Sequence, residues 1–270
     1  LQLAAVAGKE FPLQALQKDN RWGAAMHWAI ASQLVLPTHC FSHDKVRERL
    51  LDTLGELDKR EHHLRLARYY ENEKAGPPDP ARCAYHFAEG GDLSSAAPHA
   101  LAAARILAPR DAKTGAYFYE VYCRGQLEPE IIIEYSQVLY LLSQHEQAEA
   151  WLQRALSATQ DRELQSKLYL RLARHMYGKS MRRETLAYSS EAWKRHKGGL
   201  DSDHALPIIS VELEAAFGEH NPWLLWPLVA KRLPYLLRNA TGEPIAQINL
   251  LSIATYLGLP CPRTARATVA

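Results

Sequence analysis

Several things are missing from this sequence, and each absence removes a class of explanation. No apolar run reaches the roughly 18 residues that a membrane-crossing helix needs, so no membrane-spanning role is expected. The opening "LQLAAVAG" is apolar, but no basic segment precedes it and no cleavage site follows it, so it does not read as a secretory leader. The four cysteines, Cys40, Cys83, Cys123 and Cys261, are widely spaced and form no CxxC pair. That usage suits reduced thiols in the cytoplasm rather than a disulfide framework. The formal net charge is only +2 over 270 residues, too weak a field to argue for nucleic acid or a membrane surface. An initiator methionine is also lacking, and Leu1 reads as an interior position of a longer protein. Only 14 glycines occur, and no convincing set of alternating strands can be found.

What is present is helical periodicity almost throughout, in an ordinary globular composition of 47% hydrophobic and 23% charged residues. Leu1 to Ala7 reads as a short helix stopped by Gly8, and Pro12 can open a second. "WGAAMHWAIASQLVLP" reads as a third, with an apolar tail that can form a strand before Pro37 and "THCFS" as its partner. Ser42 is placed to cap a fourth helix from Asp44 to Leu54. Such an order fits a small winged-helix-like unit over residues 1–57.

A helix with Leu64, Ala67 and Tyr70 on one face follows, and "AGPPDP" at 75–80 is the clearest loop. Beyond it the chain becomes repetitive. Ala84, Phe87, Gly91, Ala96, Ala100 and Ala103 have the same offsets as Ser136, Leu139, Ser143, Ala148, Leu152 and Ala155. Small residues where two helices touch, with large ones filling the next layer, resemble tetratricopeptide (TPR) pairs. "KLYLRLARHMYGKSMRRETLAYSSEAWKRH" reads as a degenerate third copy, with Thr185 where alanine is preferred. Residues 109–128 interrupt the period and read as an irregular helix or loop. After Gly198 the expectation is of short helices broken by Pro207, Pro222, Pro227, Pro234 and Pro244, with a frayed tail from Pro260. The fold class is therefore all-α: a winged-helix-like unit over 1–57, an irregular TPR-like α-solenoid over 58–198, and an irregular continuation or cap over 199–270.

Few segments offer chemistry. "ARHMYGKS", Ala173 to Ser180, meets a relaxed phosphate-loop pattern with alanine for the first glycine. A working phosphate loop follows a buried strand, whereas "KLYLRLARH" places Lys167, Arg171 and Arg174 within a helical period. The expectation is a turn between two solenoid helices, with Gly178 in it. His39, Cys40 and His43, and the pair Cys83 and His86, are the residues of zinc-ligand type that lie close in sequence. Cys83 and His86 fall at solenoid packing positions beside Phe87, and His62–His63 lies on a charged helix facing water, so no metal is expected. No G-x-S-x-G elbow or other catalytic spacing appears, and no catalytic residue is assigned. DNA binding through "KVRER" is disfavoured because Asp44 to Arg68 holds seven Lys/Arg against six Asp/Glu. The pairs Trp22–Trp28 and Trp223–Trp226 are read as core rather than as a ligand pocket.

"FSHDKVRERLLDTL" gains meaning from its neighbours. With "LQLAAVAGKEFPLQAL" before it and "REHHLRLARYYE" and "AYHFAEGGDLSSAAPHALAAA" after it, the order resembles the region just after the ATPase module of STAND proteins. These are signal-transduction ATPases with numerous domains, including large LuxR-type transcription activators and ATPase-linked cyclases or kinases. The resemblance runs over about residues 1–105, weakens to 196 and is absent beyond. It implies a cytoplasmic regulatory segment that is not itself an enzyme, coupled to an upstream ATPase module that binds ADP or ATP. It also implies an effector protein or small molecule on the solenoid, with no membrane and no nucleic acid bound through this segment.

Ser42-His43-Asp44 further resembles the Met-His-Asp motif of switch ATPases, with serine in place of methionine. The resemblance implies that His43 meets the β-phosphate of ADP and that Asp44 fixes the loop. An imidazole at a helix N-terminus suits that task, because the helix dipole there already favours an anion. The competing reading, in which His43 only caps and packs its helix, predicts a plain TPR-like interaction scaffold with no nucleotide link.

Overall fold

Four helices of this chain begin behind an aspartate whose carboxylate accepts hydrogen bonds from first-turn backbone N–H groups. They are Asp79, Asp92, Asp111 and Asp161, and each replaces a partner that the helix end cannot supply itself. Pro80, Pro129, Pro222 and Pro244 open others, where a missing N–H is harmless. A computed structural model describes residues 1–8, 11, 22–72, 79–196, 204–218, 222–239 and 244–256. Within them lie fourteen helices and, as the sole β pairing, one antiparallel bridge between Val35 and Phe41. The chain forms two units, Leu1–Gln126 and Leu127–Ala270.

The first unit starts with α1 (Gln2–Ala7), α2 (Trp22–Ala31), α3 (Asp44–Asp52) and α4 (Glu56–Glu71). Between α2 and α3 the chain makes a minimal hairpin. The Leu36 N–H donates to Cys40 O at 2.8 Å, and the Ser42 N–H to Leu34 O at 3.1 Å. Val35 and Phe41 are both buried, and the Phe41 ring lies 5.5 Å from that of Phe11. Ser42 does not cap α3: its hydroxyl donates to Leu34 O at 3.1 Å, and His43 takes the N-cap position. Arg47 on α3 donates to Ala5 O at 2.8 Å, supplying a partner for the end of α1. The buried set Leu3, Val6, Met26, Val35, Phe41 and Leu54 also includes Leu66 of α4, so this core continues past residue 57.

The first unit ends with α5 (Pro80–Glu89), α6 (Leu93–Leu107) and α7 (Ala112–Gly125), each packed on the one before. Helix α7 corrects the expectation of an irregular 109–128. It is a regular 14-residue helix that buries Phe118, Tyr119, Val121 and Tyr122. Gly115 is a packing residue within it. A Cβ there would lie 2.5 Å from Ala108.

The second unit contains α8 (Pro129–Leu141), α9 (His145–Ala158), α10 (Arg162–Gly178), α11 (Arg182–Arg195), α12 (Ala205–Gly218), α13 (Pro222–Asn239) and α14 (Pro244–Tyr256). Successive helices pack on each other, and α8 on α10, α10 on α12 and α12 on α14 also touch. Contact between neighbours and next neighbours is the pattern of a stacked helical array. The stretch after Gly198 is therefore not fragmentary. Its helices are 14, 18 and 13 residues long. Pro222 and Pro244 start helices, and α13 continues through Pro227 and Pro234. Its core holds a charged pair, Arg232 and Glu212, joined by two hydrogen bonds of 2.8 and 3.0 Å. The Arg232 guanidinium also lies 3.7 Å from the Trp193 ring centre. Trp28 and Trp226 depart from the core reading, since both are exposed. The Pro12 helix, most of the 75–80 loop and the tail from Pro260 lie outside the described residues.

Three hairpins share one turn. Asp92, Gln144 and Met181 each donate a backbone N–H five residues back, to Phe87 O, Leu139 O and Met176 O. In each the preceding residue has a left-handed backbone: Gly91 at φ 82°, Ser143 at 57° and Ser180 at 61°. Of the small residues at equal offsets, Ala84, Ala96, Ala100, Ala103, Ser136, Ala148 and Ala155 are buried, whereas Gly91 and Ser143 in the turns are exposed; Thr185 is buried and its hydroxyl donates to Met181 O at 2.8 Å. Ser143→Gly and Ser180→Gly each relieve the strain of a left-handed side chain. Each is expected to raise unfolding stability by about 1 kcal/mol, measured as an upward shift in urea midpoint at unchanged slope.

Candidate functional site

A charge half-removed from water needs a partner, and most charged side chains of the second unit have one. Arg195 pairs with Glu191, Lys167 with Glu163 and Arg232 with Glu212. Arg171 and Arg174 do not. They lie one turn apart on α10, both half-buried, with no hydrogen bond or ion pair among the described residues. Both face a cavity of about 390 Å³ on the side where α8, α10 and α12 meet. Helix α8 contributes Gln137, Tyr140 and Leu141, and α12 contributes Ser210, Val211 and Glu214. Each set follows the three- and four-residue spacing of a single helix face.

The electrostatics of this cavity are unbalanced. Burial, then the neighbouring Arg174, pull the Arg171 guanidinium down to about 10, so it still carries its charge at neutral pH. Burial pushes the Glu214 carboxyl up, and Arg174 pulls it partly back. Ser210 accepts a 2.8 Å hydrogen bond from the Asn249 amide, which leaves its hydroxyl hydrogen free to donate. The site thus offers two fixed cations, one carboxyl with a weakened hold on its charge, and a hydroxyl donor between apolar walls.

His175 stands at the edge of the cavity and is buried. Its Nε2 is 3.0 Å from Ser136 O, and its Nδ1 is 3.1 Å from Nδ1 of His145. A carbonyl only accepts, so Nε2 carries hydrogen and donates, and Nδ1 must accept from Nδ1–H of His145. Gly178 makes room for this arrangement, since a Cβ there would come within 2.7 Å of the His145 ring. The glycine of "ARHMYGKS" is thus a packing residue. The motif is the end of α10 and the turn after it, helix rather than strand precedes it, and Gly178, expected in the turn, is instead the last helical residue. Lys179 lies 3.5 Å from both Glu146 and Glu149.

His43 and Asp44 belong to the first unit and are exposed at the start of α3. The His43 side chain makes no capping hydrogen bond. The two are adjacent as the sequence requires, and neither contributes to the α8–α10–α12 cavity. His63 differs from the solvated reading. It is half-buried, with Nδ1 2.9 Å from Nδ1 of His86, whose ring stacks on Tyr70. Burial and the second imidazole drive His86 to about 3, and burial drives the Cys83 thiol up to about 11. No group of three or more His, Cys, Asp or Glu suited to a metal occurs among the described residues.

Sequence reasoning noticed Arg171 and Arg174 only as helical charges. The signal available was a basic pair one turn apart, beside Ala173, on the helix that carries the small packing residues. No protein-family model matches the chain, nor does any curated protein or solved structure.

The buried histidine makes a pH dependence calculable. Burial, then His145, hold His175 at about 4, well below the ordinary imidazole value of 6.5. The folded state therefore binds its proton less readily than the unfolded state. The resulting stability is complete above pH 6.5 and is lost as pH falls toward 4. At about 1.4 kcal/mol per pH unit, His175 accounts for on the order of 3 kcal/mol. Urea midpoints should fall over that range, and His175→Gln should flatten the fall; equal slopes in the two proteins would contradict the assignment.

Proposed function

We propose that this chain is the regulatory segment of a STAND-type signalling ATPase. It is a non-catalytic helical-repeat module that receives an effector on the face of α8, α10 and α12. The observation that carries the reading is the pair of half-buried guanidiniums, Arg171 and Arg174, facing an open cavity without an anion of their own. An ordered repeat array with one such uncompensated face suits reception of a ligand better than scaffolding alone.

The link to nucleotide rests on the first unit. The hairpin closed at Val35 and Phe41, followed directly by α3, supports a winged-helix-like reading. His43 stands exposed at the α3 N-terminus, and its own side chain makes no hydrogen bond to the first-turn N–H groups. Those donors and the imidazole together suit a phosphate presented by an upstream ATPase module. In this reading His43 and Asp44 hold the ADP-bound resting state, and effector binding favours its release.

The competing reading, a TPR-like scaffold without nucleotide, shares the array and predicts indifference to His43. The test uses the longer protein that the first reading requires. His43→Ala should speed ADP release about ten-fold, the worth of one charge-assisted hydrogen bond, at unchanged thermal stability without nucleotide. ADP retention equal to the unmodified protein would leave the scaffold reading in possession.

A further inference from the structure

We infer that the cavity bounded by α8, α10 and α12 is a binding site for a small monoanionic carboxylate with an apolar body. The carboxylate is held by Arg171 and Arg174, and the body lies against Leu141 and Val211. This deepens the reading that the same face receives the effector, and it rests on that reading.

Two guanidiniums on one helix turn repel each other, and both are half-withdrawn from water. Such a pair is stabilised by one anion placed between them. A planar carboxylate matches the fork of donors that a guanidinium presents. Glu214 sits within the influence of Arg174 yet beyond ion-pair distance, so it does not fill that role. It does limit the charge the cavity accepts. With Glu214 ionised the local sum is +1, which a monoanion neutralises and a phosphate dianion exceeds. The Ser210 hydroxyl, oriented by Asn249, adds a donor for a third oxygen lone pair.

Size and lining narrow the class further. About 390 Å³ lies at the lower end of ordinary ligand cavities and suits a compact organic molecule. The apolar lining supplied by Leu141, Val211 and the tyrosines of α8 and α10 favours an aromatic or branched body over a bare inorganic ion. A buried carboxylate on such a body gains both the charge pair and the transfer of its apolar surface from water.

The test is calorimetric titration of the full chain with three probes that share one ring: benzoate, phenyl phosphate and benzylamine. Benzoate is expected to bind with a Kd of about a millimolar or better. Arg171→Met and Arg174→Met, which keep the apolar stem, should each weaken it at least about ten-fold. Lys179→Met, which removes a paired cation outside the cavity, should leave it unchanged. Circular dichroism confirms that each variant keeps its helix content, and Arg171→Lys, retaining charge without the fork, should fall between the extremes. Phenyl phosphate binding more tightly than benzoate, with the same dependence on Arg171, would overturn the carboxylate class and leave the receptive face intact. Binding by none of the three, or benzoate binding indifferent to both arginines, would overturn both.

Discussion

Two helices joined by three residues can lie side by side only if the residues between them are small and the joining backbone turns left-handed at one position. The three hairpins of this protein satisfy both demands at the same places. Ala84, Ser136 and Ala173 occupy one buried position, and Ala103, Ala155 and Ala192 another. Close approach then decides much else. It fixes which face of each helix is shared with its next neighbour, and so which side chains of α8, α10 and α12 look into one cavity. Where an equivalent position is polar, as at Ser136, Thr185 and Ser189, the hydroxyl bonds to a carbonyl of its own helix and asks nothing of the partner.

Those hairpins were legible because small residues at equal offsets survive any amount of surface change. The turns were legible at Gly91 and, by its offset, at Ser143; the third was expected at Gly178 but falls at Ser180, and at both serines the backbone tolerates a side chain that local preference would refuse. Helix α7 was hidden by a dense aromatic run whose period is obscured because nearly every face is buried. The final helices were hidden by prolines. Each was read as a stop, but Pro222 and Pro244 sit where a helix has no use for the missing N–H, and packing holds α13 together through Pro227 and Pro234. Trp28 and Trp226 misled in the opposite direction, since a large apolar side chain is no guarantee of burial.

The cavity was the least legible part. Its arginines are neighbours in sequence, but their lack of partners is a fact of three dimensions, decided by which carboxylates reach them. Glu212 and Glu214 lie two residues apart on α12 and meet opposite fates. Glu212 is bonded twice by Arg232 in the core, whereas Glu214 faces the cavity without an ion pair. Helical geometry turns side chains two apart to different sides. One acid therefore serves the interior and the other sets the charge of the open face.

The shared turn also bears on how such a chain can change over time. Its middle residue is left-handed and its flanking N–H groups are committed to fixed carbonyls, so the joint within a hairpin cannot lengthen by a residue without being rebuilt. The joins between hairpins carry no such obligation; Thr159 to Asp161, for instance, connects α9 to α10 without a left-handed residue. The hairpin is therefore the piece that can be duplicated, lost or exchanged whole, and α7 is a lone helix inserted between two such pieces. A rearrangement that breaks between hairpins preserves every turn, so the number of helices lining the cavity can change while the geometry of each pair stays as it was.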